Sequence, residues 1–222
     1  MKVKKKERQN IQGFTLVELL VAMAVSLLAI GAIYSTFLNQ FKSYQVQEEV
    51  AAMQQNIRVA MFHLQREIRM AGCDPTGLAG AGIIAASASS IHFTEDVWDG
   101  NPDGSPDGDT GDNNEDITYN LDDSDGDGVV DELDRNNQTV AENIDALNFV
   151  YLDANGNTTT TPENIRSVEI TIVARTGEDL RASPNNVGYY NQQGTQILGA
   201  KNDHYTRKCL TAVINCRNLG LN

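Results

Sequence analysis

The sequence predicts an α+β fold in which one long N-terminal helix packs on an antiparallel sheet. Three observations carry this. A 25-residue apolar run, Phe14 to Leu38, passes without a break into an amphipathic stretch that ends near Met70. Gly72 and Pro75 then supply the stop expected just past a helix end. Beyond them the helical period is lost, and short alternating or β-branched stretches separated by Gly, Asn and Asp take over. A helix followed by several antiparallel strands is an α+β arrangement.

The chain has 222 residues and 24.2 kDa, room for one sizeable core and one or two domains. It carries 17 Lys+Arg against 30 Asp+Glu, a net of -13, which argues against nucleic acid as a partner. The charge is uneven. Residues 2 to 8 hold five Lys or Arg and one Glu, whereas Glu95 to Asp134 holds sixteen acids and no Lys or Arg. The chain thus has a basic head, an acidic middle and a nearly balanced remainder.

Phe14 to Leu38 contains a single charge, Glu18, and at about 1.5 Å per residue exceeds a ~30 Å hydrocarbon layer. The Lys-rich head (Lys2, Lys4, Lys5, Lys6, Arg8) stays cytoplasmic by the positive-inside rule, placing the bulk of the chain across the membrane. Val50, Met53, Ile57, Met61, Leu64 and Ile68, spaced by three or four, continue the helix along one apolar face. A secretory signal, a plain anchor and a prepilin leader compete for this N-terminus. An ordinary secretory signal has a shorter apolar core and a small-residue cleavage site. A carboxylate inside an apolar span costs roughly 2.5 to 3.5 kcal/mol and calls for a partner, and Glu18 therefore bears on the choice between anchor and prepilin.

Gly13-Phe14-Thr15-Leu16-Val17-Glu18 resembles the class III signal of type IV prepilins and type II secretion pseudopilins. The resemblance implies a pilin-like fold, cleavage by prepilin peptidase between Gly13 and Phe14, N-methylation of Phe14, and subunit assembly through Glu18. As the fifth mature residue, Glu18 would neutralise the α-amino group of a neighbouring subunit. The physics agrees, because a buried carboxylate is tolerable where an amine meets it, and cleavage creates one. Major pilins usually carry Pro about 22 residues into the mature chain, and that position here is Ser35, which suits a minor pilin.

In the body, candidate strands are Ser90–Thr94, Asp116–Leu121, Ala146–Leu152, Ser167–Ala174 and Leu210–Asn215, with Asp153–Asn157 as a turn joining two of them. Leu64–Gly72, Asn143–Phe149 and Arg217–Leu219 resemble minor pilins of the PilW type, which are related to the J-type minor pseudopilins of type II secretion.

In the acidic middle, Asp123 to Asp134 places oxygen side chains at loop positions 1, 3, 5, 9 and 12, with Gly128 at 6 and Val130 at 8. This matches a twelve-residue Ca²⁺ loop of the EF-hand, dockerin or thrombospondin-repeat sort. Asp123, Asp125, Asp127, Asp131 and Asp134 are the candidate metal ligands, with the backbone carbonyl of Val129. Asp134 stands where a bidentate Glu is usual. No flanking EF-hand helices are evident, so an isolated, weak loop is expected, against the alternative of an Asp/Gly loop without a fixed ion. A second tract, Asp99 to Thr110, repeats the opening of the pattern but ends in Thr.

Three cysteines in an extracytoplasmic chain permit one disulfide. Cys209 and Cys216 are seven apart, on opposite faces of a straight strand and out of bridging reach. Cys73 is the expected partner of Cys209 or Cys216, the alternative being three unpaired thiols. His63, His92 and His204 lie at no zinc-like spacing, and no G-x-S-x-G, P-loop or H-E-x-x-H is present, so an enzyme is not expected.

The expected organisation is a leader peptide 1–13, a transmembrane or filament-core helix 14–38, its amphipathic second half 39–72, and a β-rich extracytoplasmic domain 73–222 with an Asp-rich insertion 95–134. Removing 1–13 leaves 12 Lys+Arg against 29 Asp+Glu. The expected function is that of a minor pilin, anchored in the inner membrane, associating with other pilins through its helix, and incorporated into a type IV pilus to prime or cap its assembly. A minor pseudopilin of a type II secretion system and a membrane-anchored, calcium-dependent adhesion module are the alternatives.

Overall fold

The computed structural model describes residues 13–97, 105–112 and 114–220. Helix α1 spans Leu16–Ile68. Among the described residues ten strands follow: β1 Ile83–Ala86, β2 Ile91–Thr94, β3 Asp116–Asp122, β4 Glu132–Arg135, β5 Gln138–Ala141, β6 Ile144–Leu152, β7 Ser167–Arg175, β8 Tyr189–Tyr190, β9 Gln196–Leu198 and β10 Arg207–Asn215. A 3₁₀ turn, Pro162–Asn164, precedes β7. Every pairing is antiparallel. The strands form a five-stranded sheet β1-β2-β3-β4-β5, a three-stranded sheet β10-β7-β6, and a β8-β9 ribbon. The predicted α+β class, a long helix on antiparallel sheet, is the observed architecture.

The chain divides into two compact units, one ending at Gln45 and the other running from Val46. In the first, the described residues are helical from Leu16 and exposed throughout up to Tyr44. The helix is long and apolar enough to cross a membrane. In the second, Met53, Ile57, Ala60, Met61, Leu64, Glu67 and Ile68 are buried, following the three-and-four spacing of the sequence. The apolar ones join one core with Ile91, Phe93, Ile117 and Leu133 of the first sheet and Phe149, Val168, Ile170 and Ile172 of the second.

The helix ends where its chemistry dictates. The Met70 and Ala71 N–H groups donate to the Glu67 carbonyl, and Gly72 follows at φ +75°, the left-handed position glycine occupies without penalty. A Cβ there would collide with the Leu219 side chain, so the C-terminal segment closes over this glycine.

All five expected strands form, each within a few residues of its expected bounds. β7 is central and buried nearly throughout, with Glu169, Thr171 and Val173 on the face opposite Val168, Ile170 and Ile172. Five strands lay outside the expectation: β1, β4, β5, β8 and β9. The β4–β5 hairpin turns on Asn136 and Asn137, both at positive φ, between the paired residues Arg135 and Gln138. This is the two-residue turn whose backbone matches strand twist. Asp153–Asn157 is a turn, closed by the Asp153 N–H donating to the Asn157 carbonyl. It joins β6 to a bridge at Thr158 rather than directly to β7.

Candidate functional site

At the N-terminus, Thr15 and Glu18 form a reciprocal cap. The Thr15 N–H and Oγ1 each donate to Glu18 Oε2 at 2.8 Å, and the Glu18 N–H donates to Thr15 Oγ1 at 3.2 Å. This is a capping box, readable in the sequence as Thr-x-x-Glu but overlooked there in favour of the membrane cost. It explains why the helix starts at Leu16 and not at Phe14. Gly13 and Phe14 precede the helix, and Phe14 is 90% exposed.

At the other end of α1, in the domain that begins at Val46, Glu67 faces the first sheet. Tyr119 Oη donates to Glu67 Oε2 at 2.7 Å, and Arg135 Nε donates to the same oxygen at 2.8 Å. Burial, then the adjoining Glu67, pushes the Tyr119 hydroxyl far above its ordinary range. Nearby, removal from water and the neighbouring Glu67 raise Glu95 to about 7, with Arg135 opposing.

The Asp-rich loop joins β3 to β4. One carboxylate oxygen from each of Asp123, Asp125 and Asp127 falls within 4.8 Å of the other two. Backbone N–H groups fix their orientation: Gly128 donates to Asp123 Oδ2, Asp127 to Asp125 Oδ1, and Val129 to Asp127 Oδ1. Gly126 and Gly128 both take positive φ, as the tight turn requires.

The remaining expected ligands do not all join this cluster. Asp131 is buried and bound by Arg175, so the expectation that it ligates an ion is corrected: a guanidinium already meets its charge. Asp134 is in β4 and fully buried, with Ser124 Oγ donating to its Oδ2. Glu132, which the spacing left out, is buried beside the loop and accepts the Ser124 N–H through Oε2. Burial, reinforced by Asp131, holds its carboxyl above the usual range. In the second tract, Asp99 to Gly104 lies outside the described residues. Asp107 and Asp109 accept backbone N–H groups two residues on.

Asp131 opens an ion ladder across the second sheet. Arg175 meets Asp131 and Asp145, Arg207 meets Asp145, and Arg207 grips Asp203 through two 2.6 Å bonds. The latter hold the Asp203 carboxyl below its ordinary range. Arg175 also lies 4.7 Å from the centroid of the Tyr205 ring. Nothing in the local sequence marked this ladder, since its partners are up to 62 residues apart.

The expected disulfide from Cys73 to Cys209 or Cys216 is not formed: all three cysteines are free thiols. Cys209 packs with Ala146, Val173 and Leu198, while Cys216 belongs to the main core. Burial raises all three thiols, Cys216 to about 12. His92 pairs with Asp116 at 2.6 Å, and His204 Nδ1 lies 2.7 Å from the Arg181 carbonyl.

The long apolar helix with antiparallel sheets is a type IV pilin fold. Residues 8–34 match the family described as the prokaryotic N-terminal methylation motif. Among solved structures, a type IV-like pilin from Thermus thermophilus is similar over 75% of this chain and 97% of its own, at 13% identity and a TM-score of 0.50. Among curated proteins none matches the sequence.

Proposed function

We propose that this chain is a minor pilin, cut by prepilin peptidase between Gly13 and Phe14, methylated on Phe14, and built into a type IV pilus whose assembly it primes or caps. The observation that carries this is the coincidence of a methylation motif at residues 8–34 with a pilin fold. The role is structural rather than enzymatic. Before assembly the protein is held in the inner membrane by Phe14 to Leu38, with its basic head in the cytoplasm and its β-rich domain outside. Its partners are the peptidase and other pilins, met through the helix, whose small residues Ala22, Ala24, Ala29 and Gly31 allow close approach.

Glu18 has a double task on this reading. The cap engages Oε2, leaving Oε1 for the methylated amine of a neighbouring subunit. Glu18→Ala thus loses both the cap and the intersubunit pair. The minor-pilin assignment, and kinship with the PilW type, draws on Ser35, where a major pilin has proline, and α1 runs on unbroken through that position.

Mass spectrometry of the protein purified from its own cells tests the proposal. The expected N-terminus is N-methylated Phe14, with Glu18→Ala processed but absent from sheared filaments. Retention of residues 1–13, or normal incorporation of Glu18→Ala, overturns it. A pilus role further requires that deleting the gene reduce surface filaments. Loss of protein export with filaments intact would place the chain in a secretion system instead.

A further inference from the structure

We propose that the β3–β4 loop is a Ca²⁺ site whose ligands are Asp123, Asp125 and Asp127, completed from beneath by Asp134. The three loop carboxylates converge within 4.8 Å. A cluster of exposed acids is common without an ion, and the case rests on what lies behind it. Asp134 is fully buried, yet among the described residues its Oδ1 has no hydrogen-bond partner. Its other oxygen is bonded to Ser124, between Asp123 and Asp125, so the carboxyl meets the loop at that residue. Asp123 Oδ1 is likewise buried without a partner. Buried carboxylate oxygens left unpaired are costly, and native structures supply them with a donor, a water or an ion.

Among the described residues no guanidinium or ammonium forms an ion pair with either. Glu95 to Asp134 contains no Lys or Arg. Arg175, which reaches the end of the loop, is committed to Asp131 and Asp145, and Arg135 to Glu67. The missing charge is therefore a small hard cation taken from solvent. An all-oxygen set excludes soft metals. A flexible loop of carboxylates suits Ca²⁺, which accepts irregular coordination by six to eight oxygens, better than Mg²⁺, which demands a near-ideal octahedron. Loss of Asp131 to Arg175 is compatible with this, because the ninth loop position often acts only through water. The site lies in the extracytoplasmic domain, where a dissociation constant of about 10⁻⁴ to 10⁻³ M is useful. It depends on the loop alone, so its failure would leave the filament reading untouched, and the reverse holds too.

The experiment is calorimetric titration of the full-length protein in detergent, stripped with chelator, against CaCl₂ and separately MgCl₂. One saturable Ca²⁺ heat is expected, absent with Mg²⁺ and lost in Asp125→Asn/Asp127→Asn, whose exposed side chains make no contribution to the core. Asp134→Asn, which keeps the Ser124 contact but loses the charge, weakens binding at least tenfold. Asp107→Asn/Asp109→Asn, which removes two acids from the other tract, leaves it unchanged. Ten-fold excess Ca²⁺ over the dissociation constant raises Tm by about 3 to 5 °C in the wild type alone. No saturable heat up to about 10 mM, ten times the weak limit, overturns the proposal. So does heat that survives Asp125→Asn/Asp127→Asn, falls equally with Asp107→Asn/Asp109→Asn, or is matched by Mg²⁺.

Discussion

Glu67→Ala is expected to be among the most destabilising single changes in the domain. Glu67 Oε2 accepts hydrogen bonds from both Tyr119 Oη and Arg135 Nε, binding the last turn of α1 to β3 and β4. The Glu67 side chain is 10% exposed and that of Arg135 16%, so water does little to replace what is lost. Truncation strands a fully buried hydroxyl, worth about 1 to 3 kcal/mol. It also leaves a largely buried guanidinium without its anion, and breaking such a pair costs about 3 to 5 kcal/mol. The two penalties share one oxygen and overlap, so a total of about 3 to 5 kcal/mol is expected. For a domain of this size that lowers Tm by roughly 6 to 20 °C. Thermal unfolding followed by circular dichroism reads this directly. Tyr119→Phe, which removes one bond and leaves the ion pair, should cost only about 1 to 2 kcal/mol. The triple variant Glu67→Leu/Tyr119→Phe/Arg135→Met, which removes every polar member, should be less destabilised than Glu67→Ala. A Glu67→Ala loss under about 1 kcal/mol, or a triple variant no better than it, would refute the reasoning.

Other expectations follow from single features. Gly72→Ala should cost about 1 to 3 kcal/mol in chemical denaturation, because it places a Cβ at φ +75° and against Leu219. A neutral result would mean the C-terminal segment does not hold that turn. Glu95, with its folded pKa raised from 4.5 to about 7, binds its proton more tightly folded than unfolded. Stability from this group is full below about pH 4.5 and falls as pH rises towards 7, and Glu95→Gln should remove that slope from a Tm–pH series. An unchanged slope would assign the effect elsewhere. Under non-reducing conditions, a thiol reagent should modify Cys73 and Cys209 well before Cys216, and all three after unfolding. Recovery of one thiol instead of three would restore the disulfide.

How far the sequence reveals the fold depends on where each residue finds its partner. The helix was legible because one apolar period sets its buried face from Met53 to Ile68, and Gly72 marks its end. Strand β7 was legible as a β-branched run. β4 was not, because Glu-Leu-Asp-Arg reads as surface, although Glu132, Leu133 and Asp134 are all buried. What makes burial tolerable for its charges lies elsewhere in the chain: Ser124 for Glu132 and Asp134, and Glu67 for Arg135, 68 residues away. Asp131 shows the converse error. Loop spacing presents it as a ligand, but Arg175, 44 residues on, claims it. Spacing describes what a segment can do alone, and arginine partners override it. At Glu18 the local signal Thr-x-x-Glu is complete within four residues, so the cap is legible there beside the cost of a charge in an apolar run.

The arrangement of arginines also separates the carboxylates held on strands from those of the β3–β4 loop. Four carboxylates of the domain, the buried Glu67 and Asp131 among them, are matched by guanidinium groups placed on strands: Arg135 takes Glu67, Arg175 takes Asp131 and Asp145, and Arg207 takes Asp145 and Asp203. Each such pair needs a rigid element to hold the planar fork against its carboxylate. A loop between β3 and β4 offers no such element, and its carboxylates depend on backbone N–H groups at one oxygen each. Strand β4 connects the two regimes in four residues. Its first residue follows Asp131, tied by Arg175 to the second sheet, and its last, Arg135, is tied to α1. Charge neutralised in the loop is therefore neutralised one short strand from the contact that fastens the helix to its domain.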